Sequence, residues 1–163
     1  MKKIITLLLF MATVSLADNY VIVSGLAWHQ DKENIAGDKY DTLIEGIGYQ
    51  YRDKCEMLEC SATALFILDS NSKPMGSVTI GTAYPVTDWF SVGVDVGIGY
   101  KYVYYYREST GVIKDFKATP VGIMLPKVEF KYKDFMLNIG YIPKIDGMYQ
   151  VTRAVYANVG IKF

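Results

Sequence analysis

The sequence predicts an all-β chain: an eight-stranded antiparallel transmembrane β-barrel of the bacterial outer membrane, one domain over residues 18–163. Three observations carry this. A secretion signal opens the chain. Strand-period alternation recurs after it, with no helix-period segment. Long joins alternate with short ones.

The signal is read from its parts. Lys2 and Lys3 form a charged start, residues 4–14 are nearly all apolar, and Ser15-Leu16-Ala17 offers small residues where a signal peptidase reads. The apolar run is too short to span a bilayer. Residues 1–17 are therefore expected to be removed.

The alternation is clearest from Phe90 to Tyr104. One face is Phe90, Val92, Val94, Val96, Ile98, Tyr100, Tyr102 and Tyr104, and the other is mainly Ser91, Gly93, Asp95, Gly97, Gly99 and Lys101. Apolar groups face lipid and polar or small ones face a lumen. The run is too long for an ordinary globular strand but suits a tilted membrane strand that continues into a loop. The last segment has the same period. Val155, Ala157, Val159, Ile161 and Phe163 share one face, and its aromatic end is similar to the closing strand of outer-membrane barrels.

Strands are expected near 19–28, 42–52, 61–68, 75–85, 89–104, 118–132, 135–143 and 152–163. The long joins are 30–41, 69–74, 105–117 and 144–151, and the short ones include 86–88 and 133–134. Long loops lie outside the cell and short turns in the periplasm. The 14 tyrosines, clustered around 100–106, suit membrane interfaces, where an apolar ring and a polar tip each find their medium. Without Lys2 and Lys3, 15 Lys+Arg face 17 Asp+Glu, so no basic stripe points to a nucleic-acid partner. Cys55 and Cys60 fall in a periplasmic join, where a disulfide would staple a turn. No other cysteine and no nearby histidine could complete a metal site with them.

His29 is the one histidine, at the outer end of the first strand. Asp69 and Ser70 stand at the outer end of the third. Imidazole, carboxylate and hydroxyl are the parts of acyl transfer. Asp-Ser is also a common loop start, and a histidine beside Trp28 can be a simple interface anchor. Strand neighbours point to opposite faces, so Asp69 and Ser70 converge only if the chain has left strand geometry.

Trp28-His29, then Asp38-Lys39-Tyr40-Asp41, then Asp69-Ser70-Asn71-Ser72-Lys73 resembles the lipid A palmitoyltransferase family, PagP. The order continues with Tyr106-Arg107-Glu108, with the proline-bounded segment from Pro120 to Pro126, and with Gly140-Tyr141-Ile142-Pro143. The resemblance implies a monomeric outer-membrane enzyme. It would move a palmitoyl chain from a phospholipid donor to a hydroxyacyl chain of lipid A, with no cofactor or metal. It assigns His29 as general base, Ser70 as the hydroxyl and Asp69 as the orienting charge, and it marks Arg107 as a substrate-side residue. Direct attack by the lipid hydroxyl remains as open as an acyl-serine.

The family also has a glycine eleven residues after the serine, here Gly81, flooring a buried acyl pocket. Alternation puts Ser77, Thr79 and Gly81 on the inner face, so a larger side chain at 81 is expected to shorten the preferred acyl chain. Pro126 and Pro143 cannot donate to a ladder, so on adjacent strands they would open a gap in the wall. In the family that gap admits a lipid chain. The family's helix before the first strand has no counterpart here, and residues 20–28 and 42–52 contain none of its prolines. A non-enzymatic structural or adhesive barrel stays as an alternative. A lipid hydrolase on this scaffold would need a histidine-serine neighbour pair, and Gln30 follows His29.

Overall fold

Inward and outward residues alternate along the strands, with the inward side changing parity in β1 at a register shift between Ser24 and Leu26. The computed structural model describes residues 17–34, 38–106, 113–143 and 153–163. Residues 1–16 of the expected signal peptide, Arg107 and Glu108 lie outside the described residues, as do the whole 144–151 join and part of the 105–117 join.

The strands are β1 (Asp18–His29), β2 (Gly46–Cys55), β3 (Leu58–Leu68), β4 (Pro74–Thr87), β5 (Phe90–Tyr106), β6 (Ile113–Tyr132), β7 (Phe135–Ile142) and β8 (Ala154–Lys162). Each pairs antiparallel with the next, and β8 returns to β1, giving a closed barrel in sequence order. Exposed Ile47, Phe66, Val78, Ile80, Ile98 and Met124 face outward in the middle of the wall. Trp89, Tyr132, Phe135 and Phe163 ring the end that carries the short turns and both ends of the barrel, and Trp28, Tyr100 and Tyr141 lie towards the other end. An apolar band between aromatic girdles is the lipid-facing surface of a membrane barrel.

Several strand ends differ from expectation for local reasons. β2 begins at Gly46 rather than 42, because residues 41–45 bond elsewhere. The Ala27 N–H donates to the Thr42 carbonyl at 2.8 Å, and the Ile44 N–H to that of Gly25 at 2.8 Å. β2 and β3 then run on to a two-residue turn, with Cys55 paired to Leu58 and Glu56 at φ 58°. The Cys55–Cys60 disulfide spans this hairpin, Cα to Cα 5.7 Å. β6 is the longest strand at 20 residues, because its outer half stays laddered to β5.

Packing divides the barrel into two halves. Towards the short turns the interior is filled by Tyr20, Ile22 and Met136 and by buried polar groups. Towards the long joins, Leu65, Ile67, Val121, Ile123 and Leu125 face inward yet are only half-buried, so that half is hollow.

Candidate active site at the barrel mouth

The hollow half ends at a rim that gathers the three residues singled out from the sequence. His29 is the last residue of β1, on the inward side with buried Ala27, while Trp28 between them faces outward. Asp69 and Ser70 follow β3 directly and are both buried. Adjacent residues of a strand could not both turn inward, but here the chain has left strand geometry. Asp69 Oδ1 accepts the Asn71 N–H at 2.9 Å and the Lys73 N–H at 3.1 Å. The Asp69 N–H donates to the Lys73 carbonyl at 2.7 Å, and Ser72 takes a left-handed φ of 56°. Asp69 is thus the organiser of the turn that holds Ser70, as aspartates are in tight turns.

The other carboxylate oxygen of Asp69 lies 3.6 Å from Lys101 Nζ. Lys101, Asp69 and Asp31 are the charges that act on the half-buried His29 imidazole. A cation and carboxylates flanking one imidazole make a site where a proton can be taken up and returned.

The β1–β2 join ties these parts together. The Tyr40 ring stacks on His29 with centroids 4.0 Å apart and planes 13° apart. The next residue, Asp41, donates its N–H to the Ser70 carbonyl at 2.8 Å and accepts the Ser72 hydroxyl at 2.5 Å. Asn34 Nδ2 donates to Asn71 Oδ1 at 2.9 Å. Sequence reasoning noticed the Tyr40-Asp41 string but gave neither residue a role, and it placed Lys101 only as an inner-face residue. Among the described residues, no three His, Cys, Asp or Glu side chains could together hold a metal ion.

Below the rim, the hollow is lined by Leu65, Ile67, Val121, Ile123 and Leu125, with Ser77 and Thr79 of β4 and the ring of Tyr156, which lies over Gly140, also on the inner side. It ends on an ionic layer. Lys127 Nζ lies 2.7 Å from Asp95 Oδ1 and 2.8 Å from Glu129 Oε1. Glu129 Oε2 is 2.5 Å from Arg52, which is 3.5 Å from Glu59, and Glu59 also pairs with Lys131. Gly81 is buried on the inner face at this level, paired with Ser61 and Asp95.

The wall has a gap on one side. The β6–β7 ladder runs from Tyr132↔Phe135 to Lys127↔Gly140 and stops there. Pro126, the next residue of β6, faces outward and has no N–H to extend it. Tyr141 and Ile142 pair only with β8, and Pro143 follows the end of β7. From Pro126 towards the rim, β6 is therefore laddered on β5 alone among the described residues. On the β1–β2 side, residues 42–44 stay bonded to β1 past the last full rung, Val23↔Ile47, and no proline interrupts them.

Solved structures with the same fold include Ail, the attachment invasion locus protein of Yersinia pestis. In a phospholipid nanodisc it is 15% identical with a TM-score of 0.52, over 90% of this chain and 99% of that one. In complex with the heparin analogue sucrose octasulfate it is 13% identical with a TM-score of 0.53, over 90% and 99%. These establish an outer-membrane barrel fold and no more. Among curated proteins no sequence match was found. The family model of the antimicrobial peptide resistance and lipid A acylation protein PagP matches residues 11–156. With that match over nearly the whole barrel, the chain belongs to the PagP family of lipid A acylation proteins.

Proposed function

We propose that the chain transfers a palmitoyl or similar acyl chain from a phospholipid to a hydroxyacyl chain of lipid A. The observation that carries this reading is the combination of His29 at the rim, a hollow apolar interior beneath it, and a lateral gap from Pro126 upward. A donor acyl chain passes through the gap and lies in the hollow, with its ester at the rim.

The chemistry follows from the groups there. His29 takes the proton of an attacking hydroxyl as that oxygen adds to the ester carbonyl. It returns the proton to the departing lysophospholipid oxygen as the old ester bond breaks. Asp69 holds the turn of Ser70 and balances charge near the imidazole, and Lys101 sits close enough to counter negative charge developing on the carbonyl oxygen. The attacking hydroxyl is either that of the acceptor or that of Ser70, giving an acyl-serine. In the second case the acceptor hydroxyl then takes the acyl group as the Ser70 oxygen leaves and regains its proton from His29. Arg107 and Pro143 belong to the substrate side of this reading.

The test uses the purified barrel in detergent, a phospholipid labelled in its acyl chain, and lipid A. Label in lipid A, with lysophospholipid formed in equal amount, supports transfer. Label released as free fatty acid supports hydrolysis instead. A folded barrel that moves no label favours a non-enzymatic barrel.

A further inference from the structure

Gly81 was expected to leave open space at the floor of an acyl pocket. The space is already taken. A methyl group built on Gly81 would overlap Asp95 Oδ1 and come within 2.8 Å of Ser61 Oγ. The missing side chain makes room for a carboxylate rather than for lipid.

That carboxylate is held firmly. Asp95 is 6% exposed, Lys127 4% and Glu129 0%. Asp95, Lys127, Glu129, Arg52, Glu59 and Lys131 form a chain of alternating sign across four strands, with three charges of each kind. Pulling one member out of such a set leaves an unpaired buried charge, so an alkyl chain cannot push Asp95 aside. Above it, Gly97 and Gly99 continue the inner face of β5, and Leu125, paired with Asp95, begins the apolar lining of β6.

We propose that the Asp95–Lys127 ion pair, and not the absence of a side chain at Gly81, ends the acyl pocket and selects acyl length. This rests on the acyl-transfer reading above. The eight residue steps from Ser61 to Asp69, which follows β3 directly, at the usual rise and tilt set the depth at roughly 20 Å. That exceeds one leaflet's share of a hydrocarbon core, about 15 Å, so the hollow takes a whole membrane acyl chain before meeting the charge. A longer chain would have to leave methylenes at the rim or press them against ions.

The experiment measures transfer by the full-length purified barrel from a graded series of phospholipid acyl lengths, read by mass spectrometry of the product. Removing the pair together, as Asp95→Ala with Lys127→Ala, leaves Glu129, Arg52, Glu59 and Lys131 balanced and deepens the floor. The preferred chain should then lengthen, with discrimination between neighbouring lengths of about fourfold per methylene. Leu125→Phe fills space just above the floor and should shorten it, which keeps the test alive if the double variant fails to fold.

A folded double variant, or Leu125→Phe, with unchanged length selection overturns the proposal. If the wild type transfers nothing, the acyl-transfer reading fails. Native mass spectrometry of phospholipids bound to wild type and variants then decides the floor alone. Longer bound chains in the double variant support it, and an unchanged length distribution overturns it.

Discussion

The imidazole of His29 lies flat against the ring of Tyr40, 4.0 Å between centroids. The residue after Tyr40 holds the carbonyl of Ser70. One short stretch of loop thus ties His29, at the end of β1, to Ser70, just after β3, although β1 and β3 do not pair with each other.

Tyr40 should therefore affect rate more than fold. Tyr40→Phe keeps the ring and should keep turnover near wild type. Tyr40→Ala frees the imidazole and should lower kcat on the order of a hundredfold, since small misplacements of a reacting group have effects of that size. Initial rates at saturating donor give the answer, with circular dichroism to verify folding. Equal rates in the two variants would mean that the stack does no positioning.

Asp69 combines turn and charge, and two substitutions separate them. Asp69→Asn keeps an oxygen for the Asn71 and Lys73 N–H groups but loses the charge facing Lys101 and His29. Asp69→Ala loses both. The alanine variant should be less stable than the asparagine variant by about 1–3 kcal/mol, from buried donors left unmet. Both should be slow enzymes. Urea unfolding in micelles together with rates checks this, and an active Asp69→Asn would reduce Asp69 to a turn residue.

The gap between β6 and β7 can be closed chemically. Position 126 and Tyr141 would form the next rung after Lys127↔Gly140. A Pro126→Cys, Tyr141→Cys variant, once oxidised, bridges that rung. Turnover should fall at least tenfold on oxidation and return on reduction, while reductant alone leaves the wild type unchanged. Full activity in the bridged form would show that the acyl chain takes another route.

Much of the barrel was legible because each strand must present one face to lipid and one to the interior. That requirement writes a period of two into the sequence, and it correctly set Ser77, Thr79 and Gly81 inward. Pro126 was legible as a ladder breaker for the same reason. The ionic layer was not legible, because Arg52, Asp95 and Glu129 are far apart in the chain and meet only through the register of strands between them. The role of Tyr40 was hidden too. It lies in a loop without period, which Asn34 and Asp41 bond to the neighbouring turn, and its ring partner His29 stands apart from it in sequence, at the end of β1.

The most direct measurement is the mass of lipid A from cells that carry this barrel in their outer membrane, compared with cells carrying His29→Asn at equal abundance. Lipid A should gain one palmitoyl or similar acyl mass with the wild type and none with the variant. An added acyl mass that persists with His29→Asn, or none with a folded wild type, contradicts His29 as the base of an acyl transfer.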